Sequence, residues 1–175
     1  MRKQRKLGDK NVIRFEEVIG KEDAIEISKL AREIYYEHFV PLIGVEQVEY
    51  MLKKFLSESS ILQQLDSRYR YIMVYKEKEL AGFLAVKREA DRMFLSKFYL
   101  AKKFRGQGIS RKMLHEVIRE SNGLKSIYLT VYKYNKGPIQ IYENFGFEIV
   151  DSAVTDIGSG FVMDDYIMEK DLSKF

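Results

Sequence analysis

The residues best able to do chemistry stand in FYLAKKFRGQGISRKMLHEV, positions 98–117, where a strand pattern runs through a basic, glycine-containing turn into a helical one. The first turn of a helix carries N–H groups without intrahelical partners and a partial positive charge, so such a junction can hold a phosphate or diphosphate. Gly106 and Gly108 place no Cβ between an anion and the backbone. Lys102, Lys103, Arg105, Arg111 and Lys112 add positive charge around the turn. The chemistry in view is therefore the binding of a phosphorylated cofactor. A nucleotide P-loop is excluded because GxxxxGKS/T does not occur, and a dinucleotide fingerprint because Arg111 stands where its third glycine belongs. Without further context, two close glycines describe only an ordinary loop.

That context comes from LTVYKYNKGPIQIYENFGFEIVD at 129–151, a strand pattern followed by an asparagine, a short helical segment and a Gly-Phe turn. Taken together and in this order, the two stretches resemble the GNAT superfamily of N-acetyltransferases over about positions 93–150. The family's acetyl-CoA motif, Q/R-x-x-G-x-G/A, reads here Arg105, Gly106, Gln107, Gly108, Ile109, Ser110, with Ser110 replacing the last Gly or Ala. Phe98, Tyr99 and Leu100 fall where family members pair their backbone with the pantetheine arm, and Asn135, Tyr142, Gly146 and Phe147 match the second signature. The resemblance implies an enzyme, an acetyl-CoA-dependent N-acetyltransferase that uses acetyl-CoA as acetyl donor and needs no metal. It implies cofactor contacts from residues 98–100, from the turn through Arg111 and from Asn135.

Acyl transfer to an amine requires a neutral nucleophilic nitrogen, a stabilised oxyanion and an acid for the departing thiolate. In the family a tyrosine at the Tyr142 position protonates the sulfur, and a phenol with a pKa of about 10 is protonated at neutral pH. The oxyanion donor in such enzymes is a backbone N–H on the cofactor-pairing strand, which makes Leu100 the candidate. The base is not given by the motif: where several relatives carry a glutamate on the fourth strand, this chain has Ser96. Glu33, Glu37 and Asp91 stay open for that role, while His38 and His115 are left unassigned.

Positioning these groups requires a frame, and apolar periodicity supplies one. A strand at 12–18 leads to a helix carrying Ala24, Ile27, Leu30, Ala31, Ile34 and Tyr35 on one face. Pro41 and Gly44 break the chain before a second helix through Val45, Val48, Leu52, Phe55 and Leu56, with a short helical turn at 61–65. Three strands follow in series from Tyr71 to Leu100, then the helix after Gly108, a strand at 126–132, a short helix at 137–144 and two closing strands. The expected fold is α+β: a mixed, largely antiparallel twisted sheet of about six to seven strands flanked by about four helices.

At 175 residues, 46% apolar and 32% charged, the chain suits one globular domain at 11–175 behind a basic flexible tail at 1–10. Arg2, Lys3, Arg5, Lys6 and Lys10 against Asp9 already account for the net charge of +4, leaving a neutral body and no nucleic-acid footprint on it. The absence of cysteine excludes disulfides, thiolate metal sites and a cysteine acyl-enzyme. No run of about 18 apolar residues occurs and no apolar segment follows the basic start, so a cytoplasmic protein without a membrane partner is expected. The helices near the amino end carry tyrosines with Glu33, Glu37, Glu46 and Glu49, which suits a cationic acceptor. A small polyamine or related primary amine is the expected partner. A peptide or protein amine, or a catalytically silent acetyl-CoA-binding module, stand as alternatives, and exposed β-edges near the carboxyl end make a homodimer reasonable.

Overall fold

The computed structural model describes residues 12–173, and the expected tail at 1–10 lies outside the described residues. The chain runs β1 (Ile13–Glu17), α1 (Lys21–His38), α2 (Val40–Ile43), α3 (Val45–Phe55), α4 (Glu58–Asp66), β2 (Tyr69–Lys76), β3 (Glu79–Arg88) and β4 (Arg92–Leu100). After a single turn at Lys102–Phe104 come α5 (Ile109–Glu120), β5 (Ser126–Tyr132), α6 (Lys136–Asn144), β6 (Glu148–Gly158) and β7 (Phe161–Asp171). The seven strands form one sheet in the order β1-β2-β3-β4-β5-β7-β6, an α+β fold as the periodicity led one to expect.

Two short helices exceed that expectation. Pro41 does not break the chain but opens α2, where its missing N–H is not needed. The expected turn at 61–65 is the nine-residue α4, whose N-terminus is capped by Ser57 Oγ accepting from the Ser60 N–H at 3.2 Å.

Strand alternation divides the interior into two cores. Tyr71, Met73, Phe83 and Ala85 face α1, α3 and α4, together with Ile27, Ile34, Val48 and Ile61. Ile72, Val74, Leu84 and Val86 face the opposite way and pack with Met113, Leu114 and Val117 of α5 and with Phe147. The sheet thus stands between an amino-terminal helical layer and a layer made by α5 and α6.

One junction in the sheet departs from the rest. β4 and β5 are the only parallel neighbours among the described strands, and their ladder ends after Arg92, Met93 and Phe94 meet Ser126, Ile127 and Tyr128. Beyond that point β4 pairs only with β3 and β5 only with β7. The facing edges of residues 95–100 and 129–132 are left without a strand between them. A bulge sits at the opening: Val86 pairs with Leu95 and Ala85 with Lys97, so Ser96 is the extra residue.

Candidate active site

The opening between β4 and β5 is the waist of a cavity of 920 Å³ that passes from one face of the sheet to the other. On the α5 side it is lined by Phe98, Leu100, Arg105, Gly106, Ser110, Asn135 and Tyr142. On the α1 side it is lined by Tyr35, His38, Gln64, Tyr69, Lys97, Tyr99 and Asp165.

The glycine turn is built as the sequence suggested. Gly106 and Gly108 have φ of +74° and +77°, and a Cβ built at either would meet no atom within 4 Å. Both therefore need glycine for their backbone, and the space above them is open to an anion. Gly108 is the N-cap of α5, with no side-chain cap on the helix's first N–H groups. Arg105 is tied back through Nε to the Leu100 carbonyl at 3.0 Å, while Arg111 and Lys112 are exposed beside the turn. Ile109 is instead a core residue, buried among the residues under α5, and Gln107 faces outward to Lys76 and to the Lys103 carbonyl. These two shape the turn without lining the cavity.

The edge of β4 offers what an amide-rich arm requires. The Ala101 N–H donates to the Ala81 carbonyl on β3 at 2.8 Å. Strand alternation then turns the N–H of Leu100, and that of Phe98 two residues earlier, toward the open side. Tyr142 stands across from this edge, its ring 6.0 Å from that of Phe98 and 5.7 Å from that of Phe147. Burial, and then the neighbouring Tyr99, raise its pKa well above that of a free phenol. It holds its proton across the neutral range. Asn135 is buried at the start of α6, and its Oδ1 meets His38 Nε2 at 2.7 Å. The histidine left unassigned by the sequence thus bridges the end of α1 to the second motif.

The α1 side differs from expectation. Glu33 and Glu46 are exposed, Glu37 pairs with Lys102 at 3.7 Å, and Glu49 is engaged by Arg32 and Tyr36. None of the four lines the cavity, because they project from the helix faces opposite the buried Ile34, Tyr35 and Val48. Asp91 lies at the far end of β4, paired with Lys125 at 3.4 Å in a separate groove. His115 is exposed on α5.

In their place the cavity holds the side chain of Tyr99, which the motif indicated only through its backbone, and those of Tyr35, Lys97 and Asp165, which no motif indicated. Tyr99 and Tyr35 share a hydrogen bond of 2.9 Å, and burial raises both phenols above their usual pKa. Lys97 donates to Ser96 Oγ at 2.9 Å, and burial brings its amine down to about 8. Asp165 is the one carboxylate among the described residues lining the cavity. Burial, and next Asp164, push it up to about 6 against the opposing charge of Lys133. Among the described residues no group of His, Asp or Glu side chains is arranged to hold a metal ion, and no helix is long and apolar enough to cross a membrane.

Known proteins share this domain and this fold. The profile of the acetyltransferase (GNAT) domain matches residues 39–169. A spermine/spermidine N(1)-acetyltransferase of Bacillus subtilis is 31% identical over 91 residues, covering 46% of this chain and 60% of that protein, so the match spans well short of that relative's full length. The crystal structure of a PaiA N-acetyltransferase from Thermoplasma acidophilum in complex with coenzyme A superposes with a TM-score of 0.76 at 23% identity, covering 91% of this chain and 99% of that one. The ribosomal-protein-S18-alanine N-acetyltransferase of Escherichia coli superposes with a TM-score of 0.66 at 18% identity, covering 93% and 95%.

Proposed function

The chain belongs to the GNAT acetyltransferase family, and from that premise we propose that it transfers the acetyl group of acetyl-CoA directly to a primary amine of a small polyamine or related amine. The observation that carries the reading is the through-sheet cavity, which joins the glycine turn, the open β4 edge and Tyr142 on one side to Asp165 and Lys97 on the other.

In this reading the Gly106–Gly108 turn and the first N–H groups of α5 hold the diphosphate of the donor. The open edge of β4 takes the pantetheine amides as a strand would. The Leu100 N–H points to where charge develops on the acetyl oxygen as nitrogen attacks. Tyr142, kept protonated by burial, gives its proton to the departing sulfur. The acceptor enters from the α1 side, where aromatic rings wall the cavity.

The polyamine assignment draws support from the Bacillus subtilis relative and from the carboxylate of Asp165 facing the acceptor space. A peptide or protein amine is the second reading, favoured by Lys97, whose positive charge opposes a polycation in the same cavity. A panel of spermidine, spermine, aminoglycosides and peptide amines, followed by released CoA thiol, decides between them. Turnover confined to peptide amines would replace the polyamine reading. Saturable acetyl-CoA binding with no turnover on any amine would replace both with a silent binding module.

A further inference from the structure

Asp165 lies on β7, opposite Tyr132 in the β5 ladder and Ala153 in the β6 ladder. The sheet therefore fixes it beside the point where β5 has parted from β4. Its Oδ1 is buried and has no hydrogen-bond partner. A buried carboxylate oxygen without a donor is costly, and the cost is removed when something entering the cavity brings one. A protonated amine brings both the donor and the opposite charge.

The groups around Asp165 do not meet that need themselves. Lys133, at the end of β5, is engaged by Asp164 at 2.7 Å. Lys97 on β4 donates to Ser96, and the Tyr99 hydroxyl is shared with Tyr35. Tyr166 beside it and Tyr132 opposite give Oδ1 no hydrogen bond, and β6 presents Ala153, which does not titrate.

The geometry points to Asp165 as the group that receives the ammonium of the acceptor and takes its proton as the nitrogen attacks. This inference rests on the N-acetyltransferase reading and supplies the base that the motif left open at Ser96. The nitrogen lone pair forms the new C–N bond while the carbonyl π pair moves onto oxygen. That pair returns as the C–S bond breaks, and Tyr142 protonates the sulfur. Nitrogen loses two protons in all: Asp165 takes the first, which frees the lone pair, and passes it to solvent, and the second leaves the tetrahedral nitrogen by the same route. One of the two in effect reprotonates the Tyr142 phenolate and the other is released as H⁺. The products are the N-acetyl amine and free CoA thiol. With its pKa held up to about 6, Asp165 is ionised at neutral pH and loses the ability to accept a proton as pH falls through that value.

The test is the pH profile of kcat/KM for an amine the chain acetylates, measured from about pH 5 to about pH 9 for the native protein, Asp165→Asn and Lys97→Met. The native profile is expected to be level above about pH 6 and to fall about tenfold per unit below it. Asp165→Asn is expected to be about 100-fold slower near neutrality and to rise steadily, about tenfold per unit, because only free neutral amine then reacts. Its affinity for acetyl-CoA should be unchanged by calorimetric titration, which a merely structural role would not guarantee. The inference is overturned if Asp165→Asn keeps the break near 6, stays within about threefold of native, or loses acetyl-CoA binding. A native break near 8 that vanishes in Lys97→Met would overturn it too, by moving the proton to Lys97. If the transferase reading itself is wrong, the native chain acetylates no amine, and the role of Asp165 falls with it. If only this inference is wrong, native turnover is intact.

Discussion

The two sides of the opened sheet are built by different means. The α5 side is backbone chemistry: positive-φ glycines, an uncapped helix start and a strand edge, all within residues 98–111 and completed by one phenol from α6. The α1 side is side-chain chemistry gathered from α1, α4, β4 and β7, residues as far apart as Tyr35 and Asp165. A phosphate-bearing donor can be held by peptide N–H groups of almost any sequence once the turn is right. An acceptor is chosen by which side chains reach it, and those can change without changing the fold.

Removing the phenol should separate the two sides most sharply. Tyr142→Phe is expected to lower kcat by about 10²- to 10⁴-fold while leaving acetyl-CoA affinity within about twofold, checked by thiol release and titration. A variant that kept native turnover would return Tyr142 to a packing role between Phe98 and Phe147.

The α1 side should reveal itself through stability. Lys97 has a folded pKa of about 8 against an ordinary 10.5. The unfolded chain therefore binds the extra proton between those values, and native stability climbs with pH across that window. Below pH 8 the full cost of burying the charge is present. Lys97→Met should accordingly raise the unfolding free energy at pH 7 by about 1–3 kcal/mol and remove the climb, as read by denaturant titration at several pH values. A variant equal to or weaker than native at pH 7 would mean that the ammonium is well solvated.

The smallest effect is expected where the two sides touch. His38→Ala frees Asn135 from its 2.7 Å bond and should raise KM for acetyl-CoA about three- to tenfold, the worth of about 1 kcal/mol, with kcat less affected. A change in amine KM alone would place His38 wholly on the acceptor side.

The same contrast explains what could be read before the fold was seen. The positions of Gly106 and Gly108 were legible because a strand-to-helix turn imposes local spacing, and those of Asn135 and Tyr142 through the second signature. The cavity brings Gly106, Asn135 and Tyr142 together, with Gly108 at the start of α5. The meander from Tyr71 to Leu100 was legible because its residues alternate between two buried faces. Asp165 was not, since one acid among the four of FVMDDYIMEKD looks like any solvated position until β7 is laid beside β5. Lys97 was hidden by the bulge at Ser96, which no periodicity announces. The acidic run on α1 and α3 misled for the opposite reason: Glu33, Glu46 and Glu49 are close in sequence to the cavity wall but stand on the outer helix faces. One signal was present in principle, the charge of Lys97 inside the otherwise apolar strand pattern MFLSKFYL.

The most direct measurement is a calorimetric titration of acetyl-CoA into the folded native chain and into Gly108→Val. The account predicts one saturable site per native chain, weakened at least about tenfold in the variant, because a side chain would occupy the anion's space and strain a residue held at φ +77°. Absence of saturable binding to folded native protein, or equal affinity in the variant, would contradict it.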